Sequence, residues 1–505
     1  MSSGRLAASG WNIALVVGVV AVVAPLRHEF VPLVDFPEHA ATVAALLDVE
    51  TGGPLAAWYQ ADFAHTQYWL ASWVAARVAP LVGGPVEGLR WLIVAAVVAL
   101  FVALRRLLHA LRLDARLALC ALPMVWTRPM TLGFVSFLLA WPLVFEAFAV
   151  VAAERPLRWW HHTWLALLAV LVFFLNLTSL VWLCAGALAV SVARAVLSAE
   201  GSGAQVRAVM ARCGALLILL LPVAWWVLSS SVVRADASRF VVSMSPRFHS
   251  PKRILRDAPE WLGNVWTGDL DVVVLVGWLL VVGLLAADDR TVRSRWVGRA
   301  LVAASLAVWW GLPFERGWLW GLNARFAPCF AMLLPLVWVP RPSRLHSALY
   351  AGVLALGLTQ AGLVERAAQT MQLEFAGLSA MLRDLPQGKR LLHLPFFQES
   401  DVTSEKVFSH ASAYHRIWNH GPNEPSFIDL PQSVIHYREG RAPVTRPWPW
   451  EFTPENYDNA LEGPSYDYVL LRGEGPSFPP APGALGPAWK LERRQDAWLL
   501  YSRVP

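Results

Sequence analysis

Long apolar runs alternate with short polar stretches through the first 363 residues of the chain. Eleven of these runs approach the length that an α-helix needs to cross the hydrocarbon core of a bilayer. We therefore predict a multi-pass α-helical membrane protein with about eleven transmembrane helices, the third and fifth being short and tilted or partly re-entrant. The predicted spans are 10–27, 88–108, 114–128, 132–152, 162–176, 178–198, 208–229, 271–287, 297–313, 324–340 and 345–363.

Arginine clusters between the runs predict the orientation of the chain. Positive charges collect in cytoplasmic loops, and with a cytoplasmic N-terminus and eleven spans every cluster falls inside. If the amphipathic stretch 65–84 crossed the membrane, every later loop would lie on the opposite side. We therefore predict that this stretch lies on the outer surface of the membrane. The outer face then carries the loops 28–87 and 230–270 and everything from residue 364 onward. The clusters are Arg105, Arg106, Arg112 and Arg116; Arg155 and Arg158; Arg194, Arg207 and Arg212; Arg290, Arg293, Arg295 and Arg299; Arg341 and Arg344.

The character of the sequence changes after residue 363. Residues 364–384 have an amphipathic helical pattern, and four strand-like runs follow, the last two of which predict a hairpin around Gln495 and Asp496. We therefore predict a transmembrane domain over 1–363 and a small extracytoplasmic α/β domain over 364–505. The strand-like runs are KRLLHLPF, YDYVLLRG, PAWKLERR and AWLLYSRV.

Composition supports the membrane prediction and narrows the class of partner. The chain is 56% hydrophobic and 15% charged, with a mean hydropathy of +0.46, far from the values of soluble domains. Cytoplasmic anchoring residues explain the net charge of +6, so membrane lipids and not nucleic acid are the expected partners. The four cysteines lie in apolar segments without metal-type spacing, and neither disulfides nor a cysteine-bound metal are expected. The apolar run after Arg5 is predicted to be a retained anchor.

The tract VPLVDFPEHAA, residues 31–41, places Asp35 just beyond the first predicted span. Folding needs no carboxylate there, and Pro32 and Pro37 stiffen the backbone around it, so Asp35 is the leading candidate for a functional residue. The structural alternative is an N-cap for a helix that begins near Pro37, and the two roles are compatible. Further candidates on this loop are Glu38, His39, Asp62 and His65. Each has an ordinary surface role as its alternative. A divalent metal, Mg²⁺ or Mn²⁺, is left open as a ligand of these side chains.

Basic residues on the predicted outer face are candidates for binding an anion, such as the phosphate of a lipid carrier. Arg128 lies in a turn between two spans, and Arg325 begins the tenth span. The loop segment 234–256 breaks the charge rule, and for it solvated surface charge is the equally weighted alternative. For Arg325 the alternative is snorkelling to the interface. The anion-binding candidates are Arg128, Arg239, Arg247, Lys252, Arg253 and Arg325.

The arrangement of the chain resembles the GT-C superfamily of polyprenyl-phosphate-dependent glycosyltransferases, which includes protein O-mannosyltransferases and the aminoarabinose transferase of lipid A. The shared features are one span, a long outer loop that opens with an acidic residue, many further spans and a C-terminal soluble domain outside. It is also similar to uncharacterised bacterial members of this superfamily in three short elements. These are Asp35, Pro37 and His39; Gly133, Phe134 and Phe137; Arg325 and Phe326. The O-mannosyltransferases carry two adjacent acidic residues in the loop, whereas here Phe36 follows Asp35, which leaves the acceptor class open.

The resemblance implies a reaction that these residues suit. A sugar linked to a polyprenyl phosphate already has a good leaving group, so one carboxylate is enough to deprotonate the acceptor hydroxyl while it attacks with inversion. Asp35 would be that base, and the cationic candidates would stabilise the departing phosphate. The implied donor is a polyprenyl-phosphate-linked sugar, and the acceptor is a glycan, a lipid or a protein. The implied location is the outer face of the bacterial inner membrane.

Two other classes of function remain as alternatives. A non-catalytic scaffold or sensor predicts that Asp35 is replaceable without loss. A lipid or solute transporter predicts ionisable residues inside the spans and repeat symmetry, and the sequence offers Glu146 in mid-span and little else. An O-antigen ligase or polymerase is a variant of the transferase hypothesis.

Overall fold

The structure is a computed structural model of the 505-residue chain. The residues that it describes are 3–64, 66–153, 157–198, 203–204, 206–207, 210, 224, 245–286, 295–317, 319–338, 343–430, 432–444, 452–473 and 485–504.

Helices make up most of the described chain. The α-helices are α1 Ser3–Val23, α2 Phe36–Thr51, α3 Leu70–Val82, α4 Pro85–Ala110, α5 Arg128–Thr131, α6 Val135–Ala152, α7 Trp159–Leu175, α8 Leu177–Ser198, α9 Pro251–Leu262, α10 Leu270–Ala286, α11 Arg295–Gly311, α12 Phe326–Leu333, α13 Arg344–Arg383 and α14 Ala413–Asn419. Short 3₁₀ helices cover Ala24–Arg27, Pro54–Ala57, Ala115–Met124, Leu334–Val337, Phe427–Asp429, Pro454–Asn456 and Gly463–Ser465.

Five helical segments of the described chain are long and apolar enough to cross a membrane. They are Gly10–Arg27, Pro85–Ala110, Val135–Ala152, Leu177–Leu197 and Arg344–Arg383. Shorter apolar helices occupy Leu70–Val82, Ala115–Met124, Trp159–Leu175, Leu270–Ala286 and Phe326–Val337. Ten of the eleven predicted spans therefore contain a helix, and 208–229 lies outside the described residues apart from two isolated positions. The number of membrane crossings stays a prediction.

The last predicted span and the amphipathic pattern after it form one element. Helix α13 runs for 40 residues across the expected boundary at 363/364. Gly362 is an isolated helix-weakening residue with no proline beside it, and α13 continues through it. The division of the chain into two domains at this position also stays a prediction.

A five-stranded sheet follows α13. Its strands are β4 Leu391–Pro395, β5 Asn423–Glu424, β7 Tyr468–Arg472, β8 Trp489–Gln495 and β9 Trp498–Arg503, in the spatial order β5-β4-β7-β9-β8. The predicted hairpin is confirmed: β8 and β9 pair antiparallel, with Gln495 opposite Trp498. One face of the sheet joins the core of the helices, and the other covers a smaller core of its own.

The loop 28–87 is joined to the C-terminal part of the chain. Strand β1, Tyr59–Ala61, pairs antiparallel with β6, Ile435–Tyr437, and α2 packs against both α3 and α14. The remaining strands, β2 Glu315–Arg316 and β3 Leu319–Trp320, form a small hairpin. These contacts bring residues near 35, 130, 320 and 410 to one place.

Candidate active site

Asp35 sits at the start of α2, on a backbone that three contacts fix. The N–H of Asp35 donates to the Leu132 carbonyl at 3.1 Å, and the N–H of Val34 donates to the Thr131 carbonyl at 2.8 Å. Gly133 adopts φ +77°, and a Cβ at that position would lie 3.0 Å from the Asp35 nitrogen. Glycine is needed there for its left-handed backbone and for the close approach to Asp35.

The side chain of Asp35 does not cap α2. Asp35 occupies the N-cap position, but within the described first turn of α2 its carboxylate accepts no capping hydrogen bond. Instead, Oδ1 lies 3.5 Å from Nε2 of His410. The sequence allowed Asp35 to act as a helix cap, but in this geometry its carboxylate does not cap α2.

Two histidines flank Asp35. His39, one helical turn on, packs edge-on against Phe427 with ring centroids 5.6 Å apart, and His410 packs against the same ring at 4.9 Å. Burial lowers the pKa of His39, although the neighbouring carboxylates of Asp35 and Glu38 act in the opposite direction. The sequence singled out His39 and missed His410, because nothing in the sequence connects position 410 to a loop nearly 375 residues earlier.

Asp35 and His39 line a cavity of about 660 Å³. Its walls come from the loop 28–87, the turn after Thr127, the hairpin of β2 and β3, and the C-terminal part of the chain. The volume falls within the range of sites that hold small molecules. The lining residues with ionisable side chains are Asp35, His39, Tyr68, Arg128, Glu315, Arg325, Glu405, Lys406 and His410.

Arg325 supplies a cation to this cavity. Its guanidinium lies 3.7 Å from the centroid of the Phe134 ring, and its Nη2 donates to the Trp320 carbonyl at 2.8 Å. Its Nε is buried and has no hydrogen-bond partner among the described residues. A half-buried guanidinium whose Nε has no partner among the described residues is well suited to an oxyanion.

The three short elements noted in the sequence meet at this place. A Cβ on Gly133 would lie 3.0 Å from the Asp35 nitrogen, Phe134 lies under Arg325, and Phe137 packs edge-on against Phe326 at 5.2 Å. Their proximity in the fold could not be deduced from their separate positions in the sequence.

Arg128 and Lys406 add positive charge on the side of the cavity formed by the C-terminal part. Arg128 is already paired, with Nε 2.6 Å from Glu405 and Nη1 3.5 Å from Glu260. Burial raises the pKa of Glu405, and the Arg128 charge opposes that shift. Lys406, which the sequence did not suggest, is exposed, and its Nζ lies 4.4 Å from the Phe452 ring centroid.

Glu38 faces away from the cavity. It is fully buried and interacts with Arg416 at 3.5 Å, with the amide of Asn423 at 3.3 Å, with the hydroxyl of Ser426 at 3.2 Å and with the N–H of Phe427 at 3.0 Å. We call Glu38, Arg416, Asn423 and Ser426 the Glu38 cluster. Because protein donors already surround its carboxylate, Glu38 holds α2 to the C-terminal part.

The other predicted residues do not line the cavity. Asp62 is exposed, and Lys252 and Arg253 are exposed on α9. Arg247 pairs at 2.5 Å with Glu315 at the cavity edge. His65 and Arg239 lie outside the described residues. Within the described part of the chain, no group of three or more His, Cys, Asp or Glu side chains is arranged to hold a metal ion.

Two solved structures share the fold of this chain. ArnT from Cupriavidus metallidurans bound to undecaprenyl phosphate aligns with a TM-score of 0.59 at 14% identity, over 100% of this chain and 99% of that protein. The apo state of the same protein aligns with a TM-score of 0.52 at 13% identity, over 99% and 98%. No protein-family model matches the sequence, and no curated protein matches it. At this identity the likeness shows that the chain shares the fold of ArnT, and it leaves the function to be argued from the site.

Proposed function

We propose that this protein is a glycosyltransferase of the bacterial inner membrane that moves a sugar from a polyprenyl-phosphate carrier to an acceptor. The observation that carries the proposal is the cavity in which Asp35 and the half-buried cation Arg325 face the same space. A carboxylate and a cation are the two groups that such a transfer needs. The fold adds support, because ArnT was solved with undecaprenyl phosphate bound.

Arg325 is the proposed contact for the carrier phosphate. Its charge lies at the start of α12, beside the apolar helices along which a polyprenyl tail would run. As the bond between the anomeric carbon and the phosphate oxygen breaks, the phosphate gains negative charge. A guanidinium fixed in place by the Phe134 ring and the Trp320 carbonyl stabilises that charge without reorganising.

Asp35 is the proposed general base. It takes the proton of the acceptor hydroxyl while the hydroxyl oxygen forms a bond to the anomeric carbon on the face opposite the phosphate. The bond to the phosphate oxygen breaks, and its electron pair leaves with the phosphate, so the configuration inverts. No acid is required for this leaving group.

The proposed topology follows the charge pattern of the sequence. The N-terminus is cytoplasmic, and the cavity and residues 364–505 are on the outer face. The acceptor, a glycan, a lipid or a protein, would enter beside the C-terminal segment that contributes Glu405 and Lys406 to the cavity. Glu146, the acid that a transporter would use, is paired at 2.9 Å with Arg106 and does not favour the transport alternative.

The experiment compares Asp35→Asn with Asp62→Asn, a carboxylate on the same loop that is exposed and outside the cavity. Each variant replaces the wild-type gene in cells that retain no other copy. Mass spectrometry of envelope lipids and glycans then measures the product, after immunoblotting shows equal protein in the membrane. We expect Asp35→Asn to lower product by at least about 100-fold and Asp62→Asn to match the wild type. An unchanged product in Asp35→Asn would favour the scaffold or sensor.

A further inference from the structure

We propose that His410 is a positioning residue for the carboxylate of Asp35, an inference that rests on the proposed function. Its Nε2 holds one carboxylate oxygen and leaves the other for the acceptor hydroxyl. Among the described residues, His410 is the one basic side chain within 4 Å of the Asp35 carboxylate, with 3.5 Å between Nε2 and Oδ1. Contacts of this kind tighten when the substrates are in place.

The need for such a residue follows from how Asp35 is held. Its backbone is fixed by Leu132 and Gly133, and its side chain is not used as a helix cap. A carboxylate held only at its backbone turns freely about its last torsion. A base must present one oxygen to the acceptor in a fixed direction, because small errors in the approach of reacting groups cost large factors in rate.

His410 itself is fixed on several sides. It is buried, and its ring packs edge-on against Phe427 at 4.9 Å. Its carbonyl accepts the N–H of Ala413, at the start of α14. Arg416, one turn further along that helix, interacts with Glu38, which is itself one turn from Asp35.

Residues 35–38 and 410–416 therefore meet twice. One contact is the pair of Asp35 and His410 in the cavity, and the other is the buried pair of Glu38 and Arg416. The second contact holds the two segments at a constant separation and so determines the first. The C-terminal part of the chain thereby takes part in the chemistry of the outer loop, beyond any role in holding an acceptor.

The test compares His410→Gln with His410→Asn in full-length protein. The amide nitrogen of glutamine occupies about the position of Nε2, and that of asparagine about the position of Nδ1. A positioning role at Nε2 therefore predicts that the glutamine variant keeps activity within about threefold of wild type, whereas the asparagine variant loses about tenfold or more. A purely structural role predicts that the larger glutamine is tolerated no better than asparagine.

His420→Asn is the matched control. His420 also reaches α2 from the C-terminal part and also pairs with a carboxylate, Asp48, at 2.9 Å, but it does not line the cavity. Its backbone has φ +50°, which asparagine tolerates. We expect this variant to leave the rate of product formation unchanged.

Two readouts separate the inference from the proposed function. One is the initial rate of product accumulation in the envelope, and the other is binding of undecaprenyl phosphate to purified protein. We expect all His410 variants to bind this probe as the wild type does. Equal rates for His410→Gln and His410→Asn would overturn the positioning role, and so would an equal loss in His420→Asn. If Asp35→Asn also leaves the product unchanged, the proposed function fails as well. If only the His410 variants leave the rate of product accumulation unchanged, this inference fails and the proposed function stands.

Discussion

The cavity beside Asp35 and the Glu38 cluster lie one helical turn apart on α2, and they treat a carboxylate in opposite ways. Glu38 is fully buried and surrounded by a guanidinium, an amide, a hydroxyl and a backbone N–H. Asp35 opens to the cavity, with one ion-pair contact from the described residues, at 3.5 Å.

The difference separates an acid that holds the fold from one that is available for chemistry. A buried carboxylate stays charged when its oxygens are hydrogen-bonded and a cation is near, and it then has nothing left for a substrate. A carboxylate at a cavity with oxygens to spare keeps that capacity. Sequence proximity therefore does not make Glu38 a second member of the site.

The largest effect on stability is expected from the Glu38 cluster. Replacing Arg416 with Met leaves Glu38 charged and buried without its cation, which costs about 3–5 kcal/mol of unfolding free energy. Thermal unfolding of the purified protein, followed by tryptophan fluorescence, measures this as a large drop in Tm. The double variant Glu38→Gln/Arg416→Met should lose much less than the two single losses added together. Additive losses would show that the two residues do not act as a pair.

The cavity side of the comparison is tested at Gly133. Gly133→Ala places a Cβ 3.0 Å from the Asp35 nitrogen, so the carboxylate must move. We expect a loss of about 10- to 100-fold in the rate of product formation, with a destabilisation of about 1–2 kcal/mol from the left-handed backbone. The control is Gly388→Ala, which has a similar φ of +72° but no atom within 4 Å of the added carbon. It should carry the same strain and keep its activity, and an equal loss of activity there would contradict this interpretation of Gly133.

The sequence identifies several residues of the cavity, but it does not show which of the two carboxylates, Asp35 or Glu38, is available for chemistry. Asp35 and Arg325 stand out in the sequence because each departs from its apolar surroundings, and the element of Gly133, Phe134 and Phe137 stands out through the resemblance. The surroundings of Asp35 and Glu38 are completed by residues between 410 and 427, which contact α2 only through tertiary folding. No local periodicity encodes contacts between residues that are about 375 positions apart.

The charged residues of α9 show that a cluster of charges in the sequence does not by itself identify a site. The charges of Lys252 and Arg253 marked α9 as a candidate anion site, yet both side chains are exposed outside the cavity. Lys406, in contrast, is a single lysine in a segment of mixed polar and apolar residues, and it lines the cavity. Charge density in a sequence records which segments are solvated, whereas a site depends on where a charge lies in three dimensions.

The affinity for the carrier tests Arg325 against the exposed basic residues. Arg325→Gln removes the half-buried guanidinium, and we expect the binding of undecaprenyl phosphate to weaken about tenfold. This is the lower end of the range for the loss of a hydrogen bond to a charged group. Lys406 and Arg128 would retain part of the attraction. Arg253→Gln, which removes an exposed guanidinium that is paired with Asp257 outside the cavity, is the matched control. Equal binding in both variants would place the phosphate away from Arg325.

The smallest effect is expected from Glu405, whose environment is intermediate between those of Asp35 and Glu38. Burial raises the pKa of this carboxyl in the folded protein, so the folded state binds its proton more tightly than the unfolded state does. The stabilisation from that proton is complete below the unfolded pKa and is lost as the pH rises through the folded pKa. In Glu405→Gln this pH dependence disappears. The Tm of the variant relative to wild type should therefore rise between about pH 4 and pH 7, in parallel thermal melts of the two proteins. A constant or falling difference over that range would show that the pair with Arg128 at 2.6 Å outweighs burial.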